Sequence, residues 1–585
     1  MTTTSSVLLD TLEKIGITHI FVNLGSDHPA LLEAFIAREG KRRYDGEEEL
    51  KFITAPNESV ALNCAQGFYQ ASGKPAAVIV HVDCGTQALA GAVHNVAAAR
   101  IPVFIYAGAS PFSQEGEMKG SRNEFIHWLQ DAVDQPAIIR QYMKHVAEIR
   151  TGKNVQQVVL RSLQFAKSQP EGPVYCWSAR EISEEDLNPS DLPELRREHW
   201  SGSQLGALSE TNLHYICQTL RRAQFPIIVT SYAGRNRAIP DLLGKLANQL
   251  SIAVFSSCPS HVNIAFNHPM HAGVSYTGKN CYVEAADWIL VLDCDVPWMT
   301  RFTKLRRDAT VIHIDMDVLK ERMNMFYIPA ELRVQADSAT AVQQIQREIT
   351  RCGIASFASS ELLVERLARH LQLRAEMRLR APSIRSKGID LAIFLQTLRR
   401  HLPENNLVLN ESISNYPAVW DGIAPTRPGS LLTSGGSSLG WGLGAAIGAI
   451  LAGQADKRHA KDLVTLIVGD GSFIFGVPSA AFWMARRYGT PFLTIVLNNG
   501  GYKSPRLSML GVYPDGLGSS STAESLNISF GPQPPDYGLL AEAAGGAWHT
   551  KVTESSCFET VIRDAISVVQ RDRRCAVIDV QLEKF

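Results

Sequence analysis

The sequence lacks an excess of charge of either sign, and its cysteines are not paired. Its 585 residues include 57 Lys and Arg against 58 Asp and Glu, which gives a formal net charge of -1. Without a basic excess there is no drive to bind a phosphate backbone, so nucleic acid is not expected as a partner. The 10 cysteines are scattered without CxxC spacing. This pattern is typical of reduced, mostly buried thiols in a large chain.

Long apolar runs and targeting segments are also missing. No apolar run reaches the length that a membrane span needs, so no membrane partner is expected. The N-terminal stretch "MTTTSSVLLDTLEKIGITHIFV" has no basic region of a secretory signal, and it contains Asp10 and Glu13 but no early Arg. The C-terminal "QLEKF" matches no targeting motif. These absences predict a cytoplasmic protein.

What the sequence does contain is a regular alternation of strand-like and helix-like segments. The apolar content of 45% and the charged content of 20% are ordinary for a globular chain, and the length predicts two to four domains. Apolar runs rich in β-formers alternate with helical patterns, which predicts βαβ units and parallel sheets. Four such runs fall in each third of the chain: "HIFVNL", "AAVIVHV", "VFIYAG", "VYCWS"; "FPIIVTSY", "AVFSS", "WILVLDC", "VIHIDMD"; "NLVLNES", "LVTLIVGDG", "FLTIVLNN", "AVIDVQLE".

Two polar stretches divide these runs into three blocks. Residues 183–203 are rich in charge, Pro and Ser, and residues 369–388 are strongly charged. We expect both to be surface linkers. The sequence therefore predicts an α/β protein of three doubly wound parallel-sheet domains, at residues 1–190, 205–350 and 385–585.

Two of the apolar runs end abruptly in small or oxygen-bearing side chains. "VTLIVGDGSFIFG" breaks at Gly469-Asp470-Gly471, and "FLTIVLNNGGY" breaks at Asn498-Asn499. Ligands of open parallel sheets bind just outside the carboxyl ends of strands, where glycine lets the backbone approach them. A carboxylate and an amide oxygen suit Mg²⁺, and a helix that begins after the first break would favour phosphate. Two ordinary tight turns are the alternative, but the pairing of both breaks favours a metal-bridged diphosphate.

With these motifs the chain resembles, over nearly its whole length, the thiamine diphosphate enzymes of the acetolactate synthase, benzoylformate decarboxylase and pyruvate decarboxylase type. The resemblance implies that Asp470 and Asn499 hold Mg²⁺ by their side chains and Gly501 by its carbonyl. It also implies an N-terminal pyrimidine-binding domain, a central domain and a C-terminal diphosphate-binding domain. The implied cofactor-binding residues are Leu439, Gly469, Asp470, Gly471, Ser472, Asn499 and Gly501.

Two further segments match the family. In "TAPNESVALNCAQGFYQASGKPA", Glu58 falls where the family has a glutamate that hydrogen-bonds the aminopyrimidine ring and activates the cofactor. A solvated carboxylate at a helix start is the alternative. In "SGGSSLGWGLGAAIGA", Leu439 falls where a bulky apolar residue separates the two cofactor rings, although a Gly-rich turn that opens a buried helix explains the segment equally well. In the family Glu58 and the diphosphate site come from different subunits, which implies a homodimer or homotetramer with the active site at the dimer interface.

Three residues bear on the reaction. His81, in "VIVHVDCGTQALAGAV", resembles a strand-end histidine of benzoylformate decarboxylase, and it could exchange protons with cofactor-bound intermediates. A packed structural histidine is the alternative. Ser26, in "VNLGSDHP", resembles a serine of the same enzyme that meets the substrate carboxylate. Gln130 resembles a glutamine that in acetolactate synthases faces the substrate, although the spacing from Gln130 to Lys144 is one residue longer.

Other family features are missing. No His-His pair occurs, and Pro505 stands where pyruvate decarboxylases have a glutamate, which disfavours that activity. The central strand "WILVLDC" is not followed by the Arg-Phe-Asp motif of the flavin-binding acetolactate synthases, so FAD is possible but not predicted. The aspartates of "VIHIDMD" are expected to cap a turn, and "HPMHAG", residues 268–273, is expected to be a loop without zinc.

The predicted function is a thiamine diphosphate- and Mg²⁺-dependent carboligase of the acetolactate synthase type that acts on 2-oxo acids. The first alternative is a non-oxidative 2-oxo acid decarboxylase or an acyloin or aldehyde lyase. A non-catalytic homologue is disfavoured because Glu58, Asp470 and Asn499 are all present. The Ser- and Gly-rich residues 513–536 could form a lid over the site.

Overall fold

The structure is a computed structural model that describes residues 2–45, 50–194, 196–325, 328–354, 360–380 and 389–585. Its strands form three six-stranded sheets, in which every neighbouring pair of strands is parallel. This confirms the predicted fold class. None of the described helices is both long enough and apolar enough to cross a membrane.

The first sheet has the order β2-β1-β3-β4-β6-β5. Its strands are β1 (His19–Asn23), β2 (Lys51–Thr54), β3 (Ala77–Val80), β4 (Phe104–Ala109), β5 (His145–Glu148) and β6 (Val174–Ala179). The second sheet has the order β12-β11-β10-β7-β8-β9. Its strands are β7 (Pro226–Thr230), β8 (Ala253–Ser257), β9 (His271–Ser275), β10 (Trp288–Leu292), β11 (Thr310–Asp315) and β12 (Leu332–Gln335).

The third sheet has the order β14-β13-β15-β16-β18-β17. Its strands are β13 (Asn406–Glu411), β14 (Leu431–Leu432), β15 (Leu463–Gly469), β16 (Leu493–Asn498), β17 (Trp548–Val552) and β18 (Ala576–Gln581). β15 and β16 are neighbours, with Gly469 in register with Leu497. The two breaks in the apolar runs therefore lie side by side at the carboxyl ends of the two central strands, which we call the carboxyl edge of the sheet.

The helices connect and cover the sheets. In the first part of the chain they are Thr4–Lys14, Pro29–Asp45, Glu58–Ser72, Val82–Ala88, Ala90–Ala98, Ile126–Leu129, Val155–Lys167 and Arg180–Ser183. In the middle part they are Glu210–Arg222, Ile239–Leu250, Cys281–Ala285, Ser338–Arg351 and Ser360–Arg380. In the last part they are Leu391–His401, Tyr416–Ile423, Trp441–Ala455, Asp470–Phe475, Pro478–Arg487, Lys503–Val512, Tyr537–Gly545 and Phe558–Gln570.

Two expectations for local structure were wrong. The stretch expected to be a loop at 268–273 runs into β9, which begins at His271. The charged stretch 369–388, expected to be a linker, begins inside the helix Ser360–Arg380. There the side chain of His370 is buried against Tyr282. Residues 381–388 of that stretch lie outside the described part of the chain.

The first and third sheets are joined through two helices that pack closely on each other. A Cβ atom on Gly67 of helix Glu58–Ser72 would lie 2.2 Å from the carbonyl oxygen of Ala445 in helix Trp441–Ala455. A Cβ atom on Gly448 would lie 1.9 Å from the carbonyl oxygen of Cys64. A side chain at either glycine would overlap the facing helix. The contact therefore fixes the position of both helix starts: Glu58 begins one helix, and Leu439 lies just before the other.

Candidate active site

Asp470 lies directly after β15 and is 2% exposed. Its Oδ1 accepts a hydrogen bond from the N–H of Gly471 at 2.9 Å. Its Oδ2 accepts from the N–H groups of Gly500 and Gly501, at 2.8 and 2.9 Å. Burial raises the pKa of the Asp470 carboxyl to about 6, although these backbone hydrogen bonds oppose the rise. The carboxylate is therefore oriented by backbone from both breaks, and no basic side chain pairs with it among the described residues.

Asn499 provides the second oxygen of this cluster. It is buried, and its side-chain Oδ1 has no hydrogen-bond partner in the structure. An unpartnered buried amide oxygen is costly, so such an atom calls for a ligand. A carboxylate and an amide oxygen at adjacent strand ends form a donor set that fits Mg²⁺. Asn498 faces the other way, where its Nδ2 donates to Asp579 at 3.0 Å and supports the turn.

Gly501 is held by a segment of the predicted lid. Its φ of +146° and the 2.2 Å between a built Cβ and the carbonyl oxygen of Ile528 leave no place for another residue. The N–H of Tyr502 donates to Ile528 at 2.8 Å, and the N–H of Phe530 donates to Gly500 at 2.9 Å. Residues 528–530 therefore fix the turn that also orients Asp470.

Leu439 is half-buried and lies just before the helix Trp441–Ala455. The start of that helix is held by Glu411, a residue that the sequence analysis did not single out. The fully buried Glu411 carboxylate accepts from the N–H groups of Gly440, Trp441 and Gly442 at 2.6, 3.1 and 2.7 Å. Burial raises its pKa to about 7 in spite of these bonds. Its signal in the sequence was a carboxylate at the end of the apolar run "NLVLNES".

The remaining predicted residues lie at the carboxyl edge of the first sheet. Glu58 is the first residue of helix Glu58–Ser72, and its Oε1 accepts from the Nδ2 of Asn23, at the end of β1, at 2.9 Å. Ser26 follows the same strand, and its Oγ lies 3.3 Å from the Nε2 of His127. Because the N–H of Asn123 donates to the Nδ1 of His127, the Nε2 carries the proton of the neutral ring and donates to Ser26.

His81 follows β3 and is paired with a carboxylate that the sequence analysis missed. Its Nδ1 is hydrogen-bonded to Oδ1 of Asp27, which is 1% exposed. Burial alone would lower the pKa of His81, but the hydrogen bond and the charge of Asp27 raise the pKa above its ordinary value. The side chain of Gln130 also faces the imidazole and favours its charged form. The signal for Asp27 was its position beside Ser26 in "LGSDHP".

The predicted site residues thus form two groups within one chain. Ser26, Glu58, His81 and Gln130 surround the carboxyl edge of the first sheet, whereas Asp470 and its neighbours lie at the edge of the third. No hydrogen bond or ion pair joins the two groups among the residues that the structure describes. We call these two groups the half-sites.

The central sheet has a charged cluster at its own carboxyl edge. Asp315 accepts from the N–H of Asp317 at 2.8 Å, as a turn-capping aspartate does. It also accepts from the Nζ of Lys320 at 2.7 Å, and that lysine contacts Asp295 at 2.9 Å. Arg100 of the first domain donates to Asp295 and Asp317 at 2.8 Å each, and so links the two domains.

Comparison with known proteins agrees with this architecture. Models of thiamine pyrophosphate enzymes match the chain in three parts: the N-terminal TPP binding domain at residues 2–138, the central domain at 213–345 and the C-terminal TPP binding domain at 413–580. The chain belongs to the thiamine pyrophosphate (thiamine diphosphate) enzyme family. The matched ranges lie within the three predicted blocks, whose boundaries stay predictions.

Individual relatives are distant but full-length. The benzoylformate decarboxylase of Pseudomonas aeruginosa is 25% identical over 86% of this chain and 88% of that protein. The acetolactate synthase large subunit of Lactococcus lactis is 23% identical over 93% of this chain and 87% of that protein. A solved 4-hydroxybenzoylformate decarboxylase from Rhodococcus jostii RHA1 covers 100% of both chains with a TM-score of 0.75 and 21% identity. The last likeness is one of fold.

Proposed function

We propose that this chain is a thiamine diphosphate-dependent 2-oxo acid decarboxylase that releases an aldehyde. The observation that supports this proposal over carboligation is the pair formed by His81 and the buried Asp27 at the carboxyl edge of the first sheet. An imidazole held in this way can hold a proton and donate it, because the carboxylate raises its pKa.

Both reactions consume one proton, but they place it on different atoms. Decarboxylation breaks the bond between the carboxylate and the carbonyl carbon and releases CO₂. The electron pair left on the carbon must then take up one proton to give the aldehyde. In carboligation the same electron pair forms a bond to a second carbonyl carbon, and the proton goes to the oxygen of that carbonyl. A proton donor beside the first carbon would therefore divert the reaction. A proton donor at the position of His81 therefore favours decarboxylation.

The half-site on the third sheet would hold the cofactor's diphosphate. When bound, thiamine diphosphate supplies the electron sink for the carbon that loses CO₂. Asp470 and Asn499 would hold Mg²⁺ by their side chains and Gly501 by its carbonyl. Leu439 would contact the cofactor beside the helix that Glu411 holds in place.

The half-site on the first sheet would act on the cofactor and the substrate. Asn23 fixes one oxygen of Glu58, and the other oxygen would hold the aminopyrimidine ring. Ser26, oriented by His127, would bind the substrate carboxylate, and Gln130 would line the same pocket. We propose that a homodimer assembles the complete site from two subunits, as the resemblance to the family implies.

Carboligation, which the sequence analysis favoured, is the second candidate. It is supported by two acetolactate synthases, each 23% identical to the chain over more than nine-tenths of its length. The geometry around His81 favours decarboxylation instead, and one assay distinguishes the two activities by their products.

The test is an assay of the purified protein with thiamine diphosphate, Mg²⁺ and a panel of aryl and alkyl 2-oxo acids, with and without an acceptor aldehyde. We expect CO₂ and free aldehyde in equal amounts. Glu58→Gln should abolish both, because the carboxylate that holds the aminopyrimidine ring is removed. Glu33→Gln, on the exposed side of helix Pro29–Asp45, should leave both unchanged. Hydroxyketone or acetohydroxy acid as the main product would instead establish the carboligase.

His81→Gln gives a second prediction. We expect kcat to fall by about 10²–10⁴-fold, the usual contribution of a general acid, with little change in KM. Because the charged form of His81 is the active one and its pKa is raised, wild-type kcat should be highest below this pKa and decline as pH rises through it. His199→Gln, at an exposed histidine, is the matched control. A wild-type alkaline limb that persists in His81→Gln would assign the proton to another group.

A further inference from the structure

We infer that Asp27 is a positioning residue that holds the imidazole of His81 in one orientation, with one tautomer and with its charge. The inference draws on the proposed function only for its catalytic consequence, since the contact between the two side chains stands without it.

The contact is built on both sides of the carboxylate. Oδ1 of Asp27 accepts a hydrogen bond from the Nδ1 of His81, and Oδ2 accepts one from the N–H of Val82 at 3.1 Å. Val82 follows His81 in the chain, so the carboxylate binds the backbone and the ring of one short segment. Two bonds in different directions fix the segment more closely than either bond alone would.

Space for the pair is made by two glycines. A Cβ atom on Gly108, in β4, would lie 1.8 Å from Oδ2 of Asp27. A Cβ atom on Gly25 would lie 2.0 Å from the Nδ1 of His81. Neither glycine has a positive φ, so the backbone conformation does not require glycine at either position. Glycine is needed at both positions because a side chain on Gly108 would overlap the Asp27 carboxylate, and one on Gly25 would overlap the His81 ring.

Hydrogen-bonding roles then follow from the chemistry of the groups. An ionised carboxylate only accepts, so the Nδ1 of His81 carries a proton and donates it to Asp27. The ring's other nitrogen, Nε2, is thereby not engaged by Asp27. When His81 is charged, Nε2 carries the proton that it can give up to a substrate.

His28 does not compete with His81 for the carboxylate. Its Nδ1 lies 3.3 Å from Oδ1 of Asp27 but accepts a hydrogen bond from the N–H of Gly25 at 3.2 Å, so it has no proton to donate there. Burial lowers the pKa of His28 and keeps its ring neutral. The ionisable groups that face the Asp27–His81 pair from the surrounding elements are His28, Asp83, Tyr106, His127 and Tyr175.

Asp27→Asn separates orientation from charge. The amide oxygen keeps an acceptor for His81 at nearly the same volume, while the negative charge is lost. An opposite charge in contact changes a pKa by about 1–3 pH units, so the pKa of His81 should fall by that amount. The alkaline limb of kcat should move to lower pH by the same amount, with KM changed less than about twofold. Asp27→Ala should lose orientation as well, so that lowering the pH does not restore kcat.

The deciding measurement is an NMR titration of the full chain, with the histidine rings labelled at Cε1 and the His81 resonance identified by its absence in His81→Gln. We expect a wild-type pKa above the ordinary 6.5, protonation at Nδ1 in the neutral ring, and a lower pKa in Asp27→Asn. A His81 pKa that is equal in the two proteins would overturn the inference. Protonation of the neutral wild-type ring at Nε2 would also overturn the inference, and this observation does not depend on the folding of any variant.

The titration is recorded without cofactor, so its outcome is independent of the reaction. If the pKa moves as expected but His81→Gln leaves decarboxylation intact, Asp27 keeps its positioning role and the proposed role of His81 as proton donor fails. If the pKa does not move, the inference about Asp27 fails whatever the assay shows.

Discussion

Replacement of Asp470 by alanine is expected to weaken the Mg²⁺-dependent binding of thiamine diphosphate by more than about 100-fold and to abolish turnover. That figure is the upper loss observed when only a supporting partner of a metal ligand is removed, and Asp470 is proposed as a ligand itself. Its carboxylate also accepts hydrogen bonds from three backbone N–H groups, which come from the turns after both strands. The substitution therefore removes the charge for the metal and the anchor of the turn at Gly500-Gly501 together.

The two losses can be separated by a second variant. Asp470→Asn keeps an oxygen for some of the backbone donors but loses the negative charge, so it should fold normally and still bind cofactor poorly. Titration calorimetry with thiamine diphosphate at fixed Mg²⁺ measures the effect, and chelation of Mg²⁺ from the wild type should reproduce it. Asp572→Ala, at an exposed aspartate near the C-terminus, is the control. Wild-type affinity in Asp470→Asn would mean that the metal is held elsewhere.

The half-sites could be predicted from the sequence to different degrees. Asp470 and Asn499 were accessible because each follows a long buried strand, and parallel neighbours bring their carboxyl ends together. Asp27 and Glu411 were not singled out, because each acts on a residue distant in sequence: His81 in one case, Gly440 to Gly442 in the other. A contact of this kind leaves no periodic pattern in the chain.

The fold shows the same division in its strands. All twelve predicted runs are strands, and the six strands that were not predicted, β2, β5, β9, β12, β14 and β17, are the edges of the three sheets. Inner strands are covered on both faces and are continuously apolar, as in β3 and β10. Edge strands are short, and several are half-exposed, as in β2 and β12. Their pairing comes from the neighbouring strand, which the local sequence does not contain.

The charged cluster of the central domain was also not predicted from the sequence. It contains Lys320, one of the largest fully buried side chains among the described residues. Lys320 has no exposed side-chain surface, and its Nζ contacts Asp295, Asp315 and the hydroxyl of Tyr232. Together with Arg100 it balances the carboxylates at the carboxyl edge of the second sheet. Burying these charges is tolerable only while each keeps its partners.

Lys320→Met should therefore be among the most destabilising single substitutions in the chain. Removing one partner of a buried ion pair typically costs about 3–5 kcal/mol, because the remaining charge stays buried without compensation. Urea unfolding followed by circular dichroism should show this loss in the transition that includes the central domain. Lys457→Met, which removes an exposed lysine, should change the free energy of unfolding by less than about 0.5 kcal/mol.

The effect of Lys320→Met should also depend on pH in a defined direction. Burial alone would raise the pKa of Asp315, but its hydrogen bond with His313 and the charge of Lys320 hold the pKa below its usual value. A carboxyl with a depressed pKa stabilises the fold above its unfolded pKa of about 3.9, and this contribution is lost as pH falls through the folded pKa. In Lys320→Met, Asp315 can protonate at a higher pH and become neutral. The stability difference between the two proteins should thus be largest near neutral pH and shrink as pH falls from the pKa that Asp315 has in Lys320→Met toward its lower wild-type pKa. A difference that stayed constant down to acidic pH would show that the lysine stabilises the domain by packing, through its apolar stem, and not by its charge.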